Sequence, residues 1–350
     1  MSETSAAADP AGWARRLGVS REAVDLLLAS DAIDLHVESF VWTRVLRYDL
    51  RGWHRRALPG HRWLGQVDIP RARAAGLAGA VMSIATNPFR SRAGRVATLG
   101  RNLARLRRDL GGDGVAVVAD AAGYARARAA GDLACFLALQ GGNALSADDV
   151  ATAPLDDVSR ITLVHLTRSA LGAPSAPGGR GGGLTPEGRR FVAALRDRSI
   201  ILDLAHAAPA TFWQALDVHG DGPAIVSHTG VRACRRSWRN LDDDQIRAIA
   251  ARGGVVGVMF HRGFLARPAR RATASDVVRH VDHVIRVGGE DAAALGSDFD
   301  GMIVPPRDLP TVLELPRVVQ RMLDRGYAPE RVRKVLGGNY LRVVAAVRPG

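Results

Sequence analysis

The sequence predicts an α/β protein built as a single (β/α)8 barrel of the TIM type over residues 31–345, preceded by an N-terminal extension with a short helix over residues 1–30. Three observations predict it. Short apolar runs alternate with helical segments along nearly the whole chain, giving nine strand candidates. Two consecutive runs, Ile200–Leu204 and Ala224–Val226, each lead into a histidine, His206 and His228, as a parallel barrel would present groups at one rim. No G-x-G-x-x-G turn follows the first run, which disfavours a doubly wound open sheet. With 350 residues, 47% of them hydrophobic, the chain can fill one barrel-sized core.

In order, residues 1–30 read as a start without regular pattern followed by a helix with Ala23, Leu26 and Leu27 on one side. Ala32–Ser39, AIDLHVES, is the first strand, and its period of two puts His36 and Glu38 on the same face. Phe40–Leu64, rich in Trp, Arg and His, reads as a long irregular loop over the rim. Asp68–Gly76 is helical and enters a strand at Gly79–Thr86; Ser91–Leu110 is a long Arg/Leu helix. Gly114–Asp120 is the weakest strand and the one in excess of eight, with Ala121–Ala130 helical after it. The remaining strands are Ala134–Gln140, Ile161–Leu166, Ile200–Ala205, Ala224–Ser227, Val255–Phe260 and Ala293–Asp298. Thr185-Pro186 starts a helix, with proline where its missing N–H does no harm. Asp242 and Gln245 form a capping box for another, which Gly253 ends. Pro174–Gly183 is a glycine-rich loop inside the domain.

Charge and cysteine usage exclude several classes. The net charge of +13 is carried almost wholly by arginine, Lys334 being the only lysine. The arginines are spread over presumptive helix faces, densest at Arg101–Arg108 and Arg267–Arg271, and accompany no nucleic-acid module. They read as a solvated surface rather than a nucleic-acid groove, with an anionic substrate or an acidic partner as the open alternatives. Cys135 and Cys234 make no disulfide framework or metal motif, so a reducing compartment is expected. No run approaches the roughly 18–20 apolar residues of a membrane span, and the first residues lack the apolar core of a secretion signal. The expectation is a cytoplasmic protein with no membrane partner.

The polar residues at the strand ends are His36, Glu38, Thr86, Gln140, His165, His206, His228, His261 and Asp298. Core packing explains them poorly, because each buried polar atom needs a partner. A divalent metal explains them together, and imidazole with carboxylate suits zinc. Asp298, between Gly296 and Gly301, stands where it could take and return a proton, though a carboxylate after a strand also reads as a cap. His165 in ITLVHL reads either as a site residue or as a buried, satisfied histidine, and Asp300 as a turn or capping residue.

From about Asp34 to Tyr340 the sequence resembles the membrane (renal) dipeptidases, a family of zinc-dependent barrel hydrolases. The matching stretches are GQVDIPRARAAG (65–76), FLALQGGNAL (136–145), GLTPEGRRFV (183–192), LDLAHAAPATFW (202–213) and IVSHTGVRA (225–233). Most specific are RNLDDDQIRAIAARGGVVGVMF (239–260) and HVDHVIRVGGEDAAALGSDFDG (280–301). The resemblance implies that His36 and Glu38 bind one metal, that His206 and His228 bind a second, and that Gln140 stands where a residue bridges both. It also implies that His165 stabilises the oxyanion, that Arg239 pairs with the substrate carboxylate, and that Asp298 is the general acid/base. A planar guanidinium fits that pairing on physical grounds as well.

Three positions depart from the family pattern. His36-Val37-Glu38 replaces His-x-Asp, lengthening the carboxylate by one methylene, and Arg239 follows Ser237-Trp238 where the family has His-Pro. Gln140 replaces the glutamate of an E-G-G sequence, and a neutral amide cannot balance two divalent ions as a bridging carboxylate does. The implied protein is a metal-dependent hydrolase of the amide bond of a dipeptide or dipeptide-like molecule with a free carboxylate. Its expected zinc content is one or two ions per chain, the altered centre being either mononuclear or left with one weakly held metal. The alternative is a catalytically impaired homologue that binds a small molecule or a protein. The family's tendency to dimerise makes a homodimer an expectation.

Overall fold

A computed structural model describes residues 8–54, 61–85, 92–179 and 181–350. Nine parallel strands are present among them: β1 Ile33–Val37, β2 Gly79–Ala85, β3 Val115–Val118, β4 Leu133–Gln140, β5 Val158–Thr162, β6 Ile201–Asp203, β7 Val226–Thr229, β8 Val256–Val258 and β9 Ala293–Leu295. One sheet runs β1-β2-β4-β5-β6 and a second β7-β8-β9. Parallel bridges Asp203–Ile225 and Val37–Phe299 join their edges, so eight strands follow one another around a closed ring. The spare strand is β3, as its weak pattern suggested. It pairs with the first half of β4, up to Phe136, and β5 takes over from Leu137.

The ring's inner face changes chemistry along its length. Phe136 and Ala138 of β4, Ile201 of β6 and Ala294 of β9 share one cluster with Leu35, closed at the bottom by Tyr340, Val343 and Val344 of the terminal helix Asn339–Val347. Continuing with period two, the next inward positions are Gln140 on β4 and Asp203 on β6, both buried and polar. Burying a large apolar side chain such as Phe136 contributes about 1.5–3 kcal/mol. The apolar half thus anchors the barrel, while the polar half at the strands' C-terminal ends is left for chemistry.

Local signals place the outer helices. Asp68, Asp120, Thr185 and Asp242 each accept a backbone N–H at a helix start, and Asp242 and Gln245 form the reciprocal capping box. Each such cap stabilises by about 1 kcal/mol. In helix Pro209–His219 the positions Phe212, Leu216 and His219, spaced so that they fall on one side of a helix, are all buried. Two helices, Pro10–Leu17 and Arg21–Leu28, occupy the N-terminal region where one was expected.

Other boundaries differ too. Phe40–Leu64 opens with a helix, Phe40–Leu46, where a loop was expected; it is two turns long and leaves Val45 and Leu46 exposed, so no apolar stripe marks it. The strand expected at Ile161–Leu166 runs over Val158–Thr162 instead. Ser159 and Arg160 interrupt its apolar pattern, yet both are fully buried with partners of their own: Ser159 Oγ donates to Leu137 O, and Arg160 pairs with Asp203. Thr86, the end of the second expected strand, and Ser91, the start of the long Arg/Leu helix, lie outside the described residues. Among the described residues no helix is long and apolar enough to cross a membrane.

Candidate metal centre

Eight residues from seven places in the chain meet at the C-terminal mouth of the ring. His36 lies on β1 with Glu38 just beyond it, and His36 Nε2 is 3.2 Å from Glu38 Oε1 and 3.7 Å from Asp298 Oδ1. His228, inside β7, stacks on His36 with ring centroids 3.9 Å apart. His206 Nε2 is 3.0 Å from His228 Nε2. The ring of His165 meets His206 edge-on at 4.6 Å, and Gln140 Nε2 contacts His165 Nε2 at 2.9 Å. Arg239 Nη2 donates to the carbonyl of His228 at 2.7 Å. His36, Glu38, Gln140, His165, His206, His228, Arg239 and Asp298 therefore form one unbroken chain of contacts.

The backbone is shaped to deliver two of them. His206 and Asp298 both stand in the left-handed region, with φ of 66° and 63°. That conformation costs a non-glycine residue roughly 1–3 kcal/mol and persists only where neighbours hold it. At His206 the holders are Ala205 N, which donates to Asp203 Oδ1, and Ser175 N, which donates to His206 O. Asp298 N donates to His36 O, tying β1 to the segment after β9. Asp34 reinforces the same seam, accepting from Ser297 N, from the Ser297 hydroxyl and from His36 N.

Burial dominates the electrostatics. It pushes Glu38 up to about 7, against the pull of the Arg44 charge. Asp34 rises to about 6 for the same reason. Asp298 is raised well above the carboxylate range by burial and then by the charge of Glu38, with Arg239 opposing. His165 is lowered to about 4 by burial and by Arg239, while His36, His206 and His228 are held well below the usual imidazole range by burial and neighbouring positive charge. Without a cation, the mouth holds neutral imidazoles and acids inclined to keep their protons. A divalent ion would reverse the carboxyl preference and release those protons.

The donor set suits a metal in part. Imidazole nitrogens of His36 and His228 and a carboxylate oxygen of Asp298 lie within 4.8 Å of one another. The two Nε2 atoms of His206 and His228 are close enough to reach one ion. The amide of Gln140 is engaged with His165 and brings no charge to the mouth.

Beside His206 opens a cavity of about 650 Å³ whose wall includes Arg232, Arg235, Arg236, Trp238 and Arg239. Among the described residues no carboxylate forms an ion pair with any of these four arginines. One other histidine and one other acid serve structure. His261 Nδ1 accepts from Val304 N, and Asp300 accepts from Ser39 and from Gln66 N, securing the loop after β1.

The sequence pattern alone misses Arg160, Asp203 and Ser227, which lie beneath the mouth. Asp203 Oδ2 accepts from Arg160, Thr162 Oγ1 and Ser227 Oγ, and Oδ1 from Ser227 N and Ala205 N. The available signal was a charged residue at an inward strand position, Arg160, two residues from Thr162.

Comparison with known proteins places this geometry. A family model described as membrane dipeptidase (peptidase family M19) matches residues 20–349. An uncharacterised protein of Klebsiella pneumoniae, from the pqqA 5′ region, is 37% identical over 170 residues, 48% of this chain and 62% of its own length. The dipeptidase tcpJ of Claviceps purpurea is 36% identical over 165 residues, 47% of this chain and 39% of that one. The chain thus spans about half the length of the curated relatives it matches. A solved metallopeptidase of Rhodobacter sphaeroides, liganded with a phosphinate mimic of the dipeptide L-Ala-D-Ala, superposes with a TM-score of 0.78 at 25% identity, covering 91% of this chain and 99% of that one.

Proposed function

The chain belongs to the membrane dipeptidase family, peptidase family M19, and from that premise we propose that it is a metal-dependent hydrolase cleaving the amide bond of a dipeptide or dipeptide-like small molecule with a free carboxylate. The observation that carries the reading is the meeting of His206, His228, Asp298 and Arg239 at one barrel mouth, beside a cavity walled by arginines. The resident ion is zinc, which imidazole-rich donors favour, with His206 and His228 as its firmest ligands. When bound, such an ion supplies Lewis acidity and brings a water's pKa toward neutrality.

The chain's own residues do the rest. Arg239 takes the substrate carboxylate, since its guanidinium donates in a planar fork and is buried at the cavity wall. Asp298, facing His36 and near Arg239, takes the proton of the attacking water and passes it to the leaving amine, so that the carboxylate is restored after each turnover. His165, beside Gln140, stands to donate toward the oxygen of the scissile carbonyl. Residues 31–345 act as one catalytic unit after the extension 1–30. The two free cysteines, Cys135 and Cys234, suit a reducing, cytoplasmic setting, and a homodimer is the assembly the family suggests.

Hydrolysis of a dipeptide panel by protein stripped with chelator and then supplied with zinc, manganese or cobalt tests the reading. Activity that vanishes on stripping, returns with a divalent ion and is absent in Asp298→Asn supports it. Metal-replete protein that binds dipeptides but leaves them intact would refute it in favour of a binding role.

A further inference from the structure

Three imidazoles face one another at the mouth, and their second nitrogens are held in three different ways. A guanidinium only donates hydrogen bonds. Arg160 Nη2 lies 3.0 Å from His36 Nδ1, so that nitrogen presents a lone pair and the ring proton sits on Nε2, the atom facing Glu38 and Asp298. His228 is set the opposite way. Ser227 Oγ gives its proton to the Asp203 carboxylate at 2.6 Å and accepts from Arg160 Nη1 at 3.0 Å, so it accepts from His228 Nδ1 at 2.8 Å as well. The lone pair of His228 is therefore on Nε2. His206 is bound by neither arrangement: its Nε2 meets His228 Nε2, and its Nδ1 is buried without a hydrogen-bond partner among the described residues, so its proton can change nitrogen.

We infer that Arg160 fixes His36 as an Nε2–H donor and so excludes a divalent ion from that nitrogen, leaving a single ion to be held on the His206–His228 side. A neutral His36 ligating through Nε2 would carry its proton on Nδ1, aimed at an arginine N–H 3.0 Å away. Arg160 has nowhere to retreat. It is fully buried, with Nη1 bound to Asp203, Thr162 and Ser227, and Nη2 also donating to Leu35 O. His36 thereby becomes a positioning residue, its Nε2–H directed at Glu38 Oε1, and Arg160 the group that positions it. The proximity of His36, His228 and Asp298 is then a proton-bearing contact, and the ligand set is His206 and His228, with Gln140 as their neighbour. This inference rests on the proposal above that the mouth holds a divalent ion.

The test is a long-range 1H–15N correlation spectrum of the full-length protein, labelled at histidine and stripped of metal, with His36 identified by the signal lost in His36→Asn. The expected spectrum has His36 protonated on Nε2 and His228 on Nδ1. Saturation with zinc should then load about one ion per chain by elemental analysis, shifting His206 and His228 and leaving His36 in place. Arg160→Met should move the His36 proton and raise the zinc content toward two; if that variant does not fold, the wild-type spectrum and stoichiometry decide. His36 protonated on Nδ1, or two tightly held ions with His36 shifted, overturns the inference. A folded Arg160→Met still holding one ion with His36 unchanged overturns it as well. Protein that takes up no zinc at all overturns the metal reading itself, a result told apart because the His36 tautomer is recorded before any metal is added.

Discussion

Asp203→Ala removes, in one step, the acceptor of five hydrogen bonds and the carboxylate paired with Arg160, a fully buried arginine. Both partners of the Arg160–Asp203 pair are completely shielded from solvent. Removing one member of such a pair leaves an uncompensated charge and costs about 3–5 kcal/mol, a large part of the roughly 5–15 kcal/mol that stabilises a typical domain. For a chain this long that corresponds to a fall in Tm of roughly 6–10 °C, taking about 2 °C per kcal/mol. Urea titration with linear extrapolation reads the loss directly, with an unchanged m value showing that the denatured state is unaltered. Replacing both partners, as Arg160→Met with Asp203→Leu, should recover most of the loss, because no charge is then stranded. Acid titration adds a sign. Burial alone would raise the Asp203 pKa, but Arg160 and the hydroxyls of Ser227 and Thr162 outweigh it and hold it below the ordinary value. A group depressed in this way stabilises fully above its unfolded pKa of about 3.9 and loses that contribution as pH falls through the folded value. The gap between wild type and variant should therefore be constant from about pH 7 to pH 5 and narrow only below about pH 4. A loss under about 1 kcal/mol, the size of an exposed ion pair, would refute the view that this pair organises the barrel mouth.

The remaining predictions concern catalysis, specificity and pH. Asp298→Asn should lower kcat by about 10²–10⁴-fold with the fold intact by circular dichroism, and a change below tenfold would remove Asp298 from proton transfer. Arg239→Met should raise KM by about 10–100-fold for dipeptides with a free carboxylate and leave C-terminally amidated ones nearly unaffected; equal effects on both would place the arginine elsewhere. Because Arg232 and Arg236 line the same cavity, dipeptides ending in Asp or Glu should show lower KM than neutral ones, an advantage that fades with added salt. His280 is lowered to about 4 by burial, and its Nδ1 accepts from Val231 N. The unfolded chain therefore binds one more proton than the folded one between about pH 6.5 and pH 4, and stability is lost as pH falls across that window. His280→Asn should flatten the slope of unfolding free energy there by about 1.4 kcal/mol per pH unit, measured by urea titration; an unchanged slope would refute it.

Much of the barrel is legible in local pattern. Strands such as LACFLALQ, the caps at Thr185 and Asp242, and the apolar face of Pro209–His219 each carry their own signal, because burial on two faces and the satisfaction of helix-end N–H groups act over a few residues. The histidines and acids of the mouth are legible for a related reason: imidazoles and carboxyls recurring where apolar runs end have little other physical use. Boundaries are less legible. The helix Phe40–Leu46 has no stripe to announce it, and Arg160 hid the start of β5 because a buried arginine looks polar until its partner is known.

By itself, then, the chain's order of residues determined the α/β alternation, the eight-strand ring and the histidines and acids at its mouth, which follow from side-chain period and polarity, while Arg239 was indicated only by the family resemblance. Only the tertiary structure decided how those groups are used. Asp203 lies 43 residues beyond Arg160, and His36 lies 124 residues before it. No spacing in the sequence links them, since a hydrogen bond formed by closing the ring depends on three-dimensional direction and not on separation along the chain. That closure sets one proton on His36 and the opposite one on His228, and so distinguishes two histidines that the sequence presents as equivalents.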